Sequence, residues 1–440
     1  MLAEGKKYMG NSNKVIKNAS WIIVCRVIQS LLTLIITMLT ARYLGPSNYG
    51  LINYASSIVA FVVPIMQLGL GNVLVQEMVN SPENEGEING TALIMSFFSA
   101  ILCMIGVVLF ALVVNAGEKV TIIVCALYSI LLFFQGLELI KYWYQAHYLS
   151  KYSSITSLIA YFIVSTYKAV ILIAGKNVYW FAISNALDYC IIVCVLLILY
   201  RKLGGKKLSF SLDRAKKLFA KSRYYIVANM MVAIFGHTDR IMIKLMMDDA
   251  STGLYSAAAG CAAMANFVYT AIVDSARPAI FEALKVSREK FEKRLAQLYS
   301  VIIYLSLIES IVVVVASGLI IKILYGKDYI DAVPALRIAI WYTTFSFIGT
   351  IRNIWILAEG KQKWLWVINL SGALANVLFN FLTIPYLGIM GAAWASLITQ
   401  FFANVIISYL IKDTRGNTYI MLRGLNPRLL VDILHRKARK

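Results

Sequence analysis

The chain has 440 residues, of which 60% are hydrophobic and 15% are charged. Soluble domains contain about 45–50% apolar and about 25% charged residues, so this composition excludes an ordinary soluble enzyme and indicates a protein embedded in lipid. The formal net charge of +20 does not indicate nucleic-acid binding. The basic residues lie between apolar runs and at the chain ends, which is typical of loops beside anionic lipid.

The hydrophobic residues form continuous runs that are long enough to cross a bilayer. A crossing requires about 20 apolar residues for roughly 30 Å of hydrocarbon, and a helix satisfies its own backbone groups in lipid. The twelve predicted spans lie near 19–42, 51–75, 90–114, 120–143, 153–174, 178–200, 223–247, 253–276, 298–321, 333–357, 364–385 and 389–411. The predicted fold class is therefore an all-α integral membrane protein with about 12 transmembrane helices.

Three segments are rich in lysine and arginine: 201–223, 277–297 and 412–440. Twelve spans place all three segments and both termini on one side of the membrane, which the positive-inside rule predicts is the cytoplasm. An odd number of spans would separate the two basic termini. One loop departs from the pattern, because 77–87 contains four glutamates and no basic residue.

The basic segment 201–222 lies between six predicted spans and six more. We therefore predict an N-terminal six-helix bundle over 1–200, a basic cytoplasmic linker over 201–222, a C-terminal six-helix bundle over 223–411 and a basic cytoplasmic tail over 412–440. Six spans in each half predict a parallel repeat, with a pseudo-twofold axis normal to the membrane.

Charged side chains within predicted spans are functional candidates, because a charge in the membrane is costly. Basic residues outnumber acidic ones there, which predicts a negatively charged ligand such as a phosphate or diphosphate. From Arg26, a stripe of amide and hydroxyl side chains runs outward along one face of the first span, which predicts the wall of a cavity. Alternatively, the side chain of Arg26 could extend to the lipid headgroups. The candidate substrate-binding residues are Arg26, Lys168, Asp239, Arg240, Arg337 and Arg352.

Two isolated acids near mid-span, Asp188 and Glu309, suggest a different role. Buried carboxylates can relay protons or cations, so we predict them as possible coupling sites. Hydrogen bonding to a neighbouring helix is the alternative, and the sequence leaves both interpretations open. The chain contains no phosphate-binding loop for ATP, so we expect the energy to come from an H+ or Na+ gradient, the membrane potential or the substrate's own gradient.

The residues needed for catalysis or for a metal site are scarce. The chain contains three histidines, of which only His237 falls within a span, and no nucleophile elbow. All six cysteines lie in apolar runs and none forms a CxxC pair. We therefore predict no catalytic residues, no metal site, no cofactor and no enzymatic activity.

Several motifs resemble those of a known family. They are Ala41-Arg42-Tyr43-Leu44-Gly45-Pro46-Ser47-Asn48-Tyr49-Gly50, Asp239-Arg240 with Gly253-Leu254-Tyr255, Tyr325-Gly326-Lys327-Asp328-Tyr329, and Gly388-Ile389-Met390-Gly391-Ala392-Ala393. In these motifs, and along nearly its whole length, the chain resembles the bacterial polysaccharide (O-antigen-type, Wzx-like) flippases. That family belongs to the multidrug/oligosaccharidyl-lipid/polysaccharide exporter superfamily.

The resemblance implies two six-helix bundles that form a V around a central cavity with alternating access. It implies a flippase that moves polyprenyl-diphosphate-linked oligosaccharide repeat units from the cytoplasmic to the outer leaflet of the bacterial plasma membrane, for O-antigen, capsule or other surface polymers. Membrane lipids, and the glycosyltransferases and polymerase of the same pathway, are the other implied partners. Arg26 matches the basic first-span residue of related families, whereas the acidic first-span motif of drug exporters has no counterpart here.

Two alternative functions remain at this stage. A drug or metabolite:cation antiporter of the same fold would have a cavity dominated by carboxylates and aromatic side chains. A membrane glycosyltransferase or polymerase would need a catalytic set of carboxylates or histidines and, as a rule, a larger outer loop.

Overall fold

A computed structural model describes residues 2–430, and for residues 2–24, 26 and 27 it describes the backbone alone. Helices account for almost all of this part of the chain, which contains no strand. The helices are α1 (Leu2–Met66), α2 (Leu74–Asn80), α3 (Glu85–Val114), α4 (Lys119–Ser129), α5 (Leu131–Leu137), α6 (Lys141–Ala146), α7 (Ser150–Ile173), α8 (Val178–Lys202), α9 (Leu212–Met246), α10 (Asp249–Ala262), α11 (Asn266–Val286), α12 (Arg288–Leu324), α13 (Val333–Ala358), α14 (Lys363–Phe401), α15 (Ser408–Leu410) and α16 (Arg415–Gly424), with a π-helix at Phe402–Ile407.

Ten helical segments of the described residues are long and apolar enough to cross a membrane. Two of these segments contain a glycine with a non-helical backbone: Gly45 in α1 (φ 70°) and Gly388 in α14 (φ 56°). A positive φ is accessible to glycine but strained for other residues, so each glycine ends one span and begins the next. The ten segments therefore contain the twelve predicted spans.

The second predicted span ends earlier than the hydrophobic run suggests. Leu68 (φ 52°) and Gly69 (φ 64°) are both left-handed, so α1 stops at Met66 rather than near residue 75. A 3₁₀ turn and the short α2 carry the rest of the run. Hydropathy could not show this break, because the residues on both sides of it are apolar.

The exposed apolar side chains of the long helices are consistent with a lipid environment. Ile173 is 89% exposed and Val315 is 80% exposed, and both are near the middle or the end of an apolar helix. Water would disfavour this surface, whereas hydrocarbon accepts it. The fold class predicted from the sequence, an all-α membrane protein, is confirmed.

The chain divides into two compact units. Unit 1 comprises the residues up to Leu44 together with Leu51–Ala233, and unit 2 comprises Gly45–Gly50 together with the residues from Ile234 onward. The division thus falls inside α9 and not in the predicted linker 201–222. The reason is that α9 begins at Leu212, so the second half of the linker is helical and continues directly into the seventh span.

Glutamates of the acidic loop 77–87 of unit 1 form ion pairs with basic residues of the linker region. Lys221 contacts Glu77 at 2.5 Å and Arg214 contacts Glu87 at 3.2 Å. Both basic residues belong to the linker region, so the α2–α3 connection and the linker lie at the same end of unit 1. Two of the four glutamates that departed from the charge pattern, Glu77 and Glu87, are therefore placed beside basic residues of the chain itself.

Unit 2 also has one end at which its charged connections meet. Arg423 in α16 contacts Glu292 near the start of α12 at 3.3 Å, and Arg288 contacts Glu359 after α13 at 3.4 Å. The α11–α12 connection, the α13–α14 connection and the start of the tail are therefore close together. Which side of the membrane these ends face stays a prediction.

In unit 2, parts of three of the motifs lie together. The segment Gly45–Gly50 packs on α10, where a Cβ at Gly50 would collide with the backbone of Asp249 and one at Gly253 with that of Pro46. Because Gly50 and Gly253 have no side chains, the backbone of the segment Gly45–Gly50 can pass close to that of α10. Tyr49 packs against the rings of Tyr325 and Tyr329, with centroids 6.3 and 6.1 Å apart.

Candidate functional site

Asp239, in α9, is the centre of a buried polar group in unit 2. Its side chain is only 7% exposed and accepts four hydrogen bonds. Tyr255 donates to Oδ2 at 2.5 Å, and the Ser396 hydroxyl donates to the same oxygen. The side-chain amides of Asn376 and Asn380 donate to Oδ1 at 3.1 and 2.7 Å. These five residues are called the Asp239 cluster below.

The sequence explains how these helices meet. Asn376 and Asn380 are four residues apart in the first half of α14 and therefore share a face. The break at Gly388 separates the two halves of α14, and Ser396 is in the second half. The Asp239 cluster thus connects the seventh, eighth, eleventh and twelfth spans.

The oxygens of the Asp239 cluster resemble the ligands of a hard cation. The Oδ1 atoms of Asn376 and Asn380 are buried and have no hydrogen-bond partner among the described residues. Together with the carboxylate and two hydroxyls they form a set of oxygen donors, as alkali and alkaline-earth cations prefer. No group of three or more His, Cys, Asp or Glu side chains suited to a metal ion is found in residues 2–430 with described side chains.

Arg240 follows Asp239 but is turned about 100° away from it on the helix. Its side chain is half-buried: Nε donates to the hydroxyl of Ser256 at 3.1 Å, and a terminal nitrogen donates to the carbonyl of Gly236 at 3.3 Å. Tyr342 is close enough to interact with the charges of both Asp239 and Arg240. In the described part of the chain, no carboxylate forms an ion pair with Arg240, so its positive charge is not neutralised by a direct contact.

Arg352 is enclosed within unit 2 and is 2% exposed. One terminal nitrogen donates to the Ala403 carbonyl, the Asn404 side chain and the Ser408 hydroxyl at 3.3, 2.9 and 3.4 Å. The other donates to Asn353 at 2.9 Å. These contacts fasten α13 to the π-helix, whose wider turn frees carbonyl groups from the usual helical pattern.

Arg337 and Arg26 differ in what the structure describes. Arg337 is exposed, and its Nε donates to the hydroxyl of Ser317 at 2.9 Å, which connects α13 to α12. Arg26 lies in α1, but its side chain is outside the described residues. The roles predicted for both in substrate binding stay predictions.

In unit 1, Lys168 and Asp188 come together with Asn185. Nζ of Lys168, on α7, donates to the Asn185 side chain on α8 at 3.4 Å. The charges of Lys168 and Asp188 also attract each other. One oxygen of Asp188, Oδ1, is buried without a hydrogen-bond partner among the described residues. These three residues are called the Asp188 cluster.

Glu309, the second predicted coupling residue, lies in α12 and is half-buried. It accepts a hydrogen bond from the Tyr269 hydroxyl of α11, and the ring of Tyr269 packs on Phe347 with centroids 4.6 Å apart. Hydrogen bonding to a neighbouring helix, the alternative that the sequence left open, is therefore observed at this residue.

The prediction from sequence found the charges of these clusters but not their partners. The signal for Asn376 and Asn380 was present, because two amides four residues apart in an apolar span are costly to bury unless they have hydrogen-bond partners. Tyr255 was noted only as part of a motif. Ser396 had no signal, because a single serine is common in membrane helices.

The described fold and clusters define a multi-pass membrane protein with buried polar groups in the manner of a transporter. Residues 15–284, more than half of the chain, match the family described as "Polysaccharide biosynthesis protein". The chain therefore belongs to this family, and the family resemblance predicted from its motifs is confirmed.

Two relatives in bacteria match almost the whole chain. The capsular polysaccharide biosynthesis protein CapF of Staphylococcus aureus is 23% identical, over 90% of this chain and 99% of the relative. A putative O-antigen transporter of Escherichia coli strain K12 is 20% identical, over 92% of this chain and 99% of the relative.

Solved structures with the same fold are transporters. The lipid II flippase MurJ in an inward closed conformation has a TM-score of 0.71 at 14% identity, over 94% of this chain and 92% of that one. An inward-facing multidrug transporter of the MATE family has a TM-score of 0.69 at 12% identity, over 90% and 96%. At these identities the likeness shows the fold alone. Together with the family match, it shows a multi-pass membrane protein of the polysaccharide biosynthesis family with the fold of these transporters.

Proposed function

We propose that this protein is a flippase that moves polyprenyl-diphosphate-linked oligosaccharide repeat units from the cytoplasmic to the outer leaflet, for the synthesis of a cell-surface polysaccharide. Membership of the polysaccharide biosynthesis family supports the class of cargo. Two proteins that are similar to this chain, a putative O-antigen transporter and a lipid II flippase, point to saccharides that are carried on lipids.

The observation that carries the proposal is the half-buried guanidinium of Arg240. It is bonded only to a hydroxyl and a carbonyl in the described part of the chain, and a buried charge without an opposite charge is unfavourable unless a ligand compensates it. A diphosphate would do so, because guanidinium groups bind phosphate oxygens through paired hydrogen bonds. Arg26, Lys168, Arg337 and Arg352 stay candidates for the same cargo, whereas Asp239 positions Arg240 by fixing its helix.

The proposed orientation of the protein in the membrane rests on the positive-inside rule. The basic linker gathers at one end of unit 1, with Lys221 and Arg214 paired to the α2–α3 connection. The start of the tail gathers with two connections at one end of unit 2. The basic charge of the linker and the tail favours an arrangement in which both termini are cytoplasmic. Glycosyltransferases and a polymerase of the same pathway are the proposed partners.

Coupling to an H+ or Na+ gradient, or to the membrane potential, is part of the same proposal. Among the described residues, Asp188 offers a buried oxygen without a hydrogen-bond partner near Lys168. Glu309 offers a carboxylate that accepts a hydrogen bond from a hydroxyl. Transport by vesicles in imposed H+ or Na+ gradients would separate these sources of energy.

A drug or metabolite:cation antiporter is the alternative with the same fold. Organic cations require acidic or aromatic cavities, whereas the candidates here are mostly basic. Asp239 is saturated by four donors, and Glu309 accepts a hydrogen bond from Tyr269. The second alternative, a membrane glycosyltransferase or polymerase, has no support from the relatives, which are transporters.

Complementation tests the proposal. The gene is expressed in a strain that lacks its own repeat-unit flippase, and surface polymer is measured together with the amount of protein in the membrane. Wild-type protein should restore polymer of a matching repeat unit, whereas R26A and R240A should not, although they reach the membrane. R288A is the matched control, because Arg288 is 65% exposed and pairs with Glu292 outside the apolar core. Full polymer levels in R26A and R240A would refute the role of a cationic site.

A further inference from the structure

Unit 1 contains a polar cavity that is separate from all the candidate residues above whose side chains are described. Its volume is about 490 Å³, within the range of roughly 300–1,000 Å³ that ligand pockets occupy. Four stretches of unit 1 surround it: α1, the α5–α7 region, the first turns of α7 and the end of α8. The lining residues are Cys25, Gln29, Glu138, Lys141, Tyr142, Gln145, Ser150, Ser153, Ser154, Ser157 and Leu196.

The wall of this cavity is unusually rich in hydroxyl and amide groups for a membrane helix bundle. The four serines follow one another at offsets of 0, 3, 4 and 7 along α7, so they lie on one helical face. Two glutamine amides and the Tyr142 hydroxyl come from the other elements. A surface of this kind would be costly against lipid, and it therefore points to a polar occupant.

The charges of the described lining residues cancel each other. Glu138 and Lys141 form an ion pair at 3.1 Å, and the remaining described lining residues are neutral. The described lining therefore offers a diphosphate no excess positive charge and a lipophilic cation no excess negative charge. Hydroxyl and amide groups that both donate and accept hydrogen bonds complement an uncharged polyhydroxylated ligand.

The cavity lies at the end of unit 1 where the basic linker begins. Ser150 to Ser157 are the first two turns of α7, and Leu196 is near the end of α8, which stops at Lys202. The positive-inside rule predicts that this end faces the cytoplasm, which is the side from which a newly made repeat unit would be loaded.

We infer that this cavity is a binding site for neutral sugar residues of the transported glycan. The inference rests on the proposed function for the identity of the glycan. It assigns the sugars and the diphosphate to different groups of residues. The serine-lined cavity of unit 1 holds sugar hydroxyls, and the arginine candidates of the proposed function hold the phosphates.

Saturation-transfer NMR on the purified full-length protein in detergent tests this site without any transport. The probes are the neutral disaccharide N,N′-diacetylchitobiose (called chitobiose below) and, for comparison, tetraphenylphosphonium. Wild type should transfer saturation to chitobiose and not to the organic cation. S157F, which fills the cavity, should abolish the signal, and S154A/S157A should weaken binding about tenfold through the loss of two hydroxyl contacts.

T166F is the matched control, because Thr166 is an exposed hydroxyl residue on the same helix outside the cavity. It should bind chitobiose as wild type does. The melting temperature of each variant shows whether it is folded. If S157F does not fold, the double variant S154A/S157A provides the test of the cavity. Equal binding by S154A/S157A and wild type, no binding by wild type, or binding of tetraphenylphosphonium at this cavity would overturn the assignment.

A second measurement distinguishes failure of this site from failure of the proposed function. Vesicles containing wild type or S157F are given polyprenyl diphosphate that carries either one sugar or a full repeat unit. S157F should slow only the full repeat unit. If wild type moves neither lipid, the proposed function fails. If S157F moves the full repeat unit as fast as wild type, only the sugar site fails.

Discussion

The Asp239 cluster of unit 2 and the Asp188 cluster of unit 1 each place a carboxylate within a helix bundle, but they satisfy it differently. Asp239 accepts four hydrogen bonds from three neighbouring spans and is almost fully buried. Asp188 is half-buried, has one oxygen without a partner among the described residues and has Lys168 nearby.

This difference separates an architectural role from a responsive one. Moving or protonating Asp239 would disturb four bonds at once, so the cluster holds its spans in a fixed arrangement. Asp188 can change its partner at much lower cost, as a site that binds and releases a proton or a cation must do. The same distinction applies to two arginines of unit 2, because Arg352 is enclosed and donates four hydrogen bonds to neutral groups, whereas Arg240 keeps a partly exposed face.

The largest effect on stability is expected for Asp239→Ala. Four hydrogen bonds between spans, each contributing about 0.6–1 kcal/mol in a membrane protein, would be lost, so the free energy of unfolding should fall by roughly 2–4 kcal/mol. Denaturant unfolding in detergent measures it. Asp188→Ala is the comparison and should change the free energy by less than about 1 kcal/mol; equal losses in the two variants would remove the distinction between the clusters.

Arg352→Ala should have an intermediate effect. The contacts from its guanidinium to the π-helix would be lost, and a cavity would remain, at a cost of about 1–3 kcal/mol. Removal of an unneutralised charge offsets part of this cost. Arg337→Ala, which replaces an exposed arginine, should change the melting temperature less; the reverse order would contradict the enclosed position of Arg352.

Asp188→Asn should leave the fold intact but affect transport. The amide keeps the shape of the side chain and removes its charge, so ion-driven transport should lose its dependence on the imposed H+ or Na+ gradient while the melting temperature stays within a few degrees. Measuring initial rates in vesicles with and without each gradient tests this. Gradient dependence like that of wild type would exclude Asp188 as the coupling residue and leave Glu309.

The smallest effect concerns the surface pair between Arg214 and Glu87. Both side chains are partly exposed, so the pair should contribute no more than about 1 kcal/mol, and less at high salt. In E87R the basic linker would face another positive charge, and the double change E87R/R214E should restore the melting temperature. No recovery in the double variant would show that the two side chains do not interact in the membrane.

Apolar length and loop charge were sufficient to predict the approximate spans. Lipid requires a continuous apolar surface along each helix, and anionic headgroups favour basic loops on one side. They could not predict that Gly45 and Gly388 divide helices that are otherwise continuous, since glycine is common within spans. Cost of burial led to Asp239, but Asn376 and Ser396 are 137 and 157 residues away from it, and only the packing of the helices shows that they meet. The serine face of α7 was visible in the sequence, whereas the cavity in front of it requires three other segments.

Transport of a labelled lipid-linked glycan in reconstituted vesicles tests the central claim most directly. The substrate is a fluorescent polyprenyl-diphosphate repeat unit in one leaflet, and its arrival in the other leaflet is followed by a membrane-impermeant quencher. Wild type and R288A should move it well above the rate in protein-free vesicles, and R240Q should be slower by about tenfold or more, since it loses a charge-assisted contact with phosphate. A wild-type rate equal to that of protein-free vesicles, or an R240Q rate equal to wild type, would contradict a flippase that holds its cargo by the diphosphate.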